Sequence, residues 1–81
     1  MTLEEFRATG VEKLAHVSDT DILDNLGCMP GTKVRVYEGG LCLEVYDNGT
    51  FGTTVCNESY EGTLKEIEAE LYSWYIEEYC D

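Results

Sequence analysis

The chain has 81 residues and carries seventeen acidic against five basic side chains, a formal net charge of −12. A chain this short folds as one domain and buries only about 60% of its unfolded surface, which argues against a deep cleft between subdomains. The acidic excess disfavours nucleic acid and anionic lipid as partners and favours basic proteins.

Thr2-Leu3-Glu4-Glu5 is a capping box, so a helix is expected to begin at the very start of the chain. Leu3, Phe6, Gly10, Leu14 and Val17 fall on one stripe at helical spacing, and the pattern predicts a helix over residues 3–17. Gly10 lies within that stripe and either lets the helix approach the sheet closely or breaks it. The first is expected, since an isolated Gly costs about 1 kcal/mol against Ala without ending a helix. The same acidic, amphipathic opening lacks the basic-then-apolar layout of a secretory signal, and no apolar run nears the roughly 20 residues that span a bilayer. A cytoplasmic location is expected.

Ser18-Asp19-Thr20-Asp21 opens a short helix over residues 19–26, anchored by Ile22, Leu23 and Leu26 and stopped by Gly27. A calcium loop counted from Asp19 would need Gly at its sixth position and Glu at its twelfth, where this chain has Asp24 and Pro30. The aspartates read instead as caps and first-turn charges. His16 has no partner at metal-ligand spacing. The four cysteines (Cys28, Cys42, Cys56 and Cys80) form no C-x-x-C pair, so no metal is expected and free thiols are.

From Thr32 to Cys56 the pattern predicts a three-stranded antiparallel meander over residues 32–38, 41–46 and 50–56. Gly39-Gly40 reads as a two-residue hairpin turn, which sets Val36 opposite Leu43, Val34 opposite Val45 and Arg35 opposite Glu44. Asp47-Asn48-Gly49 reads as a three-residue turn with Gly49 left-handed, pairing Val45 with Phe51 and Leu41 with Val55. One face then carries Val34, Val36, Leu41, Leu43, Val45, Phe51 and Val55, and is expected to lie under both long helices. The other carries Lys33, Arg35, Tyr37, Cys42, Glu44, Tyr46 and Thr54, and is expected to be wet.

Asn57 to Gly62 reads as a polar turn. Thr63-Leu64-Lys65-Glu66 repeats the capping box and opens a last helix over residues 64–79, about 25 Å long. Leu64, Ile67, Leu71, Trp74 and Tyr75 gather on its inward side, flanked by Tyr72 and Tyr79. Glu66, Glu70 and Glu77 share the outward side. Glu77, Glu78 and Asp81 sit against the unfavourable end of the helix dipole, where cations are preferred. The fold class expected is α+β: a helix and a short helix, a three-stranded meander, and a closing helix on one sheet face.

Charge is divided along the chain. Residues 1–37 hold six acids and four bases, whereas residues 38–81 hold eleven acids against Lys65 alone. No phosphate-binding, zinc-protease or nucleophile-elbow motif occurs, so an enzyme, and with it any cofactor, is not expected. The acids that point to partner binding are Glu66, Glu70 and Glu77 on the last helix, thickened by Glu38, Asp47, Glu58 and Glu61 from strands and loops. The helix acids stand about 6 and 10 Å apart along the axis.

In size, layout and charge the chain resembles the small acidic anti-CRISPR proteins of phages and mobile elements. The resemblance covers the whole chain as outline and no aligned motif. It implies a non-enzymatic inhibitor in a bacterial host cell that binds the basic nucleic-acid-binding surface of a CRISPR effector or similar nuclease as a nucleic-acid mimic. An immunity protein or antitoxin for a basic toxin, and a structural or assembly domain with an aromatic interface (Tyr37, Tyr46, Tyr72, Tyr79), are the alternatives.

Overall fold

A computed structural model describes residues 1–55 and 58–79 of the chain. Cys56, on which the predicted third strand ends, Asn57, Cys80, Asp81 and the Tyr79 side chain lie outside the described residues. In chain order the elements are α1 (Leu3–Ala8), β1 (Val11–Leu14), α2 (Thr20–Leu26), β2 (Lys33–Val36), β3 (Cys42–Val45), β4 (Phe51–Val55), β5 (Glu58–Gly62) and α3 (Leu64–Tyr79). The strands form one antiparallel sheet in the order β1-β2-β3-β4-β5. The class is α+β, but the sheet has five strands where three are predicted. The two additional strands sit at its edges.

The first comes from the predicted helix over 3–17. The Thr2 capping box forms, with Glu5 N–H donating to Thr2 Oγ1 at 3.1 Å and Thr2 N–H to Glu5 Oε1 at 2.9 Å. The helix nevertheless ends at Ala8, where the Thr9 hydroxyl bonds the Phe6 carbonyl at 2.6 Å. Gly10 then passes so near Tyr37 that an added Cβ would stand 2.6 Å from the ring. Gly10 thus lies past the end of the helix and leads into a strand, where the pattern predicts that the helix continues. Leu14 and Val17, placed by helical spacing in the core, are 63% and 66% exposed. Ala15 is buried in their stead.

Tyr37 is pinned by stacking on Phe6, with centroids 5.2 Å apart and planes within 10°. Gly10→Ala is therefore expected to lower stability by about 1–3 kcal/mol, as overpacking against a fixed group does. Gly52→Ala meets the hydroxyl, Cζ and Cε2 of the half-buried Tyr46, the far end of a side chain that can turn toward solvent, and is expected to cost less. Thermal denaturation of the two variants side by side checks the order.

The first hairpin corrects the predicted register. Gly39 and Gly40 do adopt positive φ, 80° and 78°. Glu38 joins them in the turn, however, and Tyr37 N–H bonds the Leu41 carbonyl at 2.7 Å. Val34 thus stands opposite Glu44, Arg35 opposite Leu43 and Val36 opposite Cys42. A shift of one residue moves a strand's side chains to the other face. Val34 and Val36 thereby leave the layer of the long helices and pack with Ala15, Cys42 and the α2 residues Ile22, Leu23 and Leu26. The predicted wet face has a small core of its own. The second hairpin matches its prediction, with Val45 opposite Phe51 and Gly49 at φ 85°.

The main core lies on the other face. Phe6, Tyr37, Leu43, Ile67 and Leu71 are buried there, with Leu41, Val45, Phe51, Val55, Tyr60, Leu64, Tyr72 and Tyr75 packed around them. α3 spans the predicted residues, and its Thr63–Glu66 capping contacts form. α2 ends as expected at Gly27, left-handed at φ 64°. The second additional strand, β5, replaces most of the predicted polar turn before α3. No helix among the described residues is long and apolar enough to cross a membrane.

Candidate partner-binding surface

Because the strand order is the chain order, the division of charge along the sequence becomes a division across the sheet. Arg7, Lys13, Lys33 and Arg35 all belong to the α1–β1–β2 side, and each is engaged internally. Arg7 Nε lies 2.7 Å from Glu68 and Lys13 Nζ 3.0 Å from Asp19, while Lys33 and Arg35 lie 4.0 and 3.8 Å from Glu12. Among the described residues, none of the seven acids singled out from the sequence makes an ion pair.

Those seven do not share one face. Glu58 and Glu61 lie on the edge strand β5, and Glu66 stands just beyond it, its carboxylate oxygen 3.1 Å from where a Cβ on Gly62 would sit. Glu70 and Glu77 continue along α3, the first half-buried and the second exposed. Glu38 lies in the β2–β3 turn and Asp47 in the β3–β4 turn, at opposite ends of the sheet. The fold thus brings Glu61 and Glu66 to the β5–α3 junction, places Glu58 at the far end of the same edge strand, continues along α3 with Glu70 and Glu77, and sets Glu38 and Asp47 apart.

Two of the β5 and α3 carboxylates are held in place. Glu58 accepts from the Tyr60 phenol at 2.8 Å. Glu66 accepts from the Thr63 amide at 3.1 Å and its hydroxyl at 2.9 Å. The amide bond and then the hydroxyl bond hold Glu66 below its ordinary carboxyl range, so it stays an anion. Across the sheet from β5, Glu44 stands opposite Gly52 and Gly52 opposite Glu61, with the Tyr46 ring covering Gly52. Burial, and then the two carboxylates, push the Tyr46 phenol above its usual value, so it remains neutral.

Glu68, absent from the acids that the sequence singles out, is 2% exposed. Its two oxygens accept from Arg7 Nε at 2.7 Å and from the Tyr37 hydroxyl at 2.6 Å. Arg35 Nε donates to that hydroxyl at 3.1 Å. Burial, followed by donation to Glu68, raises Tyr37 well above the usual tyrosine range. This network ties α1, β2 and α3 together, and it faces the core rather than a cleft.

Cys42 is buried and Cys28 half-buried in the α2 layer, both as free thiols. Burial pushes Cys42 up to about 11, so its thiolate is scarce at neutral pH. His16 is exposed, in the turn before α2, with Nδ1 2.8 Å from Ser18 Oγ. No three His, Cys, Asp or Glu side chains among the described residues converge into a metal site. Comparison of the chain with protein-family models, with curated proteins and with solved structures finds no match.

Proposed function

We propose that this protein is a non-enzymatic acidic inhibitor that occupies the basic nucleic-acid-binding surface of a CRISPR effector or similar nuclease, acting as a nucleic-acid mimic in the bacterial cytoplasm. The observation that carries the reading is the one-sided charge: four of the five bases are internally paired on the α1–β1–β2 side, while Glu58, Glu61, Glu66, Glu70 and Glu77 on β5 and α3 make no ion pair among the described residues and share those elements with Lys65 as the one base. Carboxylates so arranged generate a negative field that a Lys- and Arg-lined groove, built to neutralise phosphates, would also neutralise.

Binding to a purified CRISPR nuclease across a salt series tests it. Affinity is expected to fall steeply with salt, DNA is expected to compete, and Glu58→Gln/Glu61→Gln/Glu66→Gln is expected to weaken binding by about tenfold or more, about 1.4 kcal/mol. Unchanged affinity of the triple variant for a nuclease that wild type binds would remove this surface from the interface. Selective binding to a nuclease toxin that DNA does not displace would instead make the protein an immunity factor.

A further inference from the structure

We propose that β5 is a docking edge, to which an extended basic segment of the partner adds as a sixth strand. The basic character of the occupant rests on the inhibitor reading above, whereas the open edge rests on the sheet alone.

The ladder fixes which backbone groups are offered. Tyr46 N–H donates to the Thr50 carbonyl at 3.0 Å, closing the β3–β4 hairpin. Antiparallel hydrogen bonding alternates along a strand, so Gly52 and Thr54 also turn their backbone groups toward β3, and Phe51, Thr53 and Val55 turn theirs toward β5. The residues opposite those three are Gly62, Tyr60 and Glu58. Ser59 and Glu61 therefore direct their N–H and C=O groups away from the sheet. An incoming antiparallel strand finds two donors and two acceptors at ladder spacing.

The side chains around this edge select the strand by charge. A residue placed opposite Glu61 shares its face of the sheet, and that pairing favours Lys or Arg. Residues on the alternate face come beside Glu58 and, past Gly62, beside Glu66, both held by the hydrogen bonds described above. Acids on an edge also repel the same edge of another copy, a known protection against self-association. Such an edge is closed to its own kind and open to a strand of opposite sign. The other edge differs: β1 exposes Val11 and Leu14, and its Glu12 already faces Lys33 and Arg35.

The test uses the full chain and a short end-blocked peptide of alternating arginine and threonine, with amide exchange followed by NMR at low salt. At saturation the Ser59 and Glu61 amides are expected to exchange about tenfold more slowly, with Glu12 and Leu14 unchanged. The same peptide N-methylated at the positions that would donate to β5 keeps its charge but cannot add as a strand, and is expected to bind about tenfold more weakly. Equal binding by the two peptides, or protection spread equally over both edges, overturns strand addition even where the acidic surface still attracts the peptide. Docking at β5 without DNA-competable nuclease binding keeps the edge and removes the nuclease target.

Discussion

Glu68→Ala is expected to lower unfolding stability by about 3 kcal/mol, because removing one partner of a buried ionic cluster leaves the others uncompensated. Truncation takes the acceptor from the Tyr37 hydroxyl, which is buried, and from Arg7, which is 36% exposed and can turn partly to water. The Tyr37 loss dominates for that reason. In a domain of this size such a change lowers the melting temperature by roughly 12–24 °C. Glu68→Gln retains an acceptor for Tyr37 and gives up the charge to Arg7, so about 1 kcal/mol is expected. Thermal and urea denaturation of both variants check the order, and an alanine variant within about 0.5 kcal/mol of wild type would show that the cluster contributes no stability.

The cluster also makes a separable statement about what holds α3. If its importance lies in satisfying buried polar groups rather than in net attraction, replacing Arg7, Tyr37 and Glu68 together, with Arg35 left to Glu12 and water, should be far milder than removing one. Arg7→Met/Tyr37→Phe/Glu68→Leu is expected to recover most of the loss seen in Glu68→Ala, as apolar replacement of buried ion clusters does elsewhere. A triple variant no more stable than Glu68→Ala would mean that the ionic geometry itself stabilises the fold.

The features that could be read in advance are those fixed by local chemistry. Thr63 and Glu66 cap α3, and Gly49 closes the second hairpin in the one register that keeps Val45 and Phe51 together. The first hairpin was ambiguous because two adjacent glycines permit a turn without saying where it starts, and Glu38 shifts it by one residue. β1 was hidden because Leu14 and Val17 stand at helical spacing from Phe6 by coincidence. Nothing local in a four-residue edge strand competes with that pattern. β5 was hidden because Glu58-Ser59-Tyr60-Glu61-Gly62 has no apolar alternation, as befits a strand whose partner supplies most of the packing. Glu58 and Glu61 could be named as acids but not placed on an edge. Glu68 was legible: at about 100° per residue it falls between Ile67 and Tyr75 on one side and Tyr72 on the other. An acid inside an apolar stripe needs a buried partner, and Arg7 and Tyr37 provide it.

Leu43→Asp is expected to unfold the chain, whereas Leu14→Asp is expected to change stability by about 0.5 kcal/mol or less. Both leucines belong to apolar patterns in the sequence, and only the fold separates them. Leu43 is fully buried on the central strand β3, in the layer that α1 and α3 cover, while Leu14 is 63% exposed on β1. Removing the Leu43 side chain alone costs about 2–5 kcal/mol. Burying a carboxylate in its place adds several more, against a total stability of about 5–15 kcal/mol for a small domain. Circular dichroism and amide dispersion should therefore show an unfolded Leu43→Asp chain and a native Leu14→Asp chain. A folded Leu43→Asp would overturn the strand register, since only a slip of one residue could carry that side chain to another face. An unfolded Leu14→Asp would return residues 9–17 to the core and remove β1 from the sheet, and with it the contrast between the two edges on which the assignment of β5 as the docking strand depends.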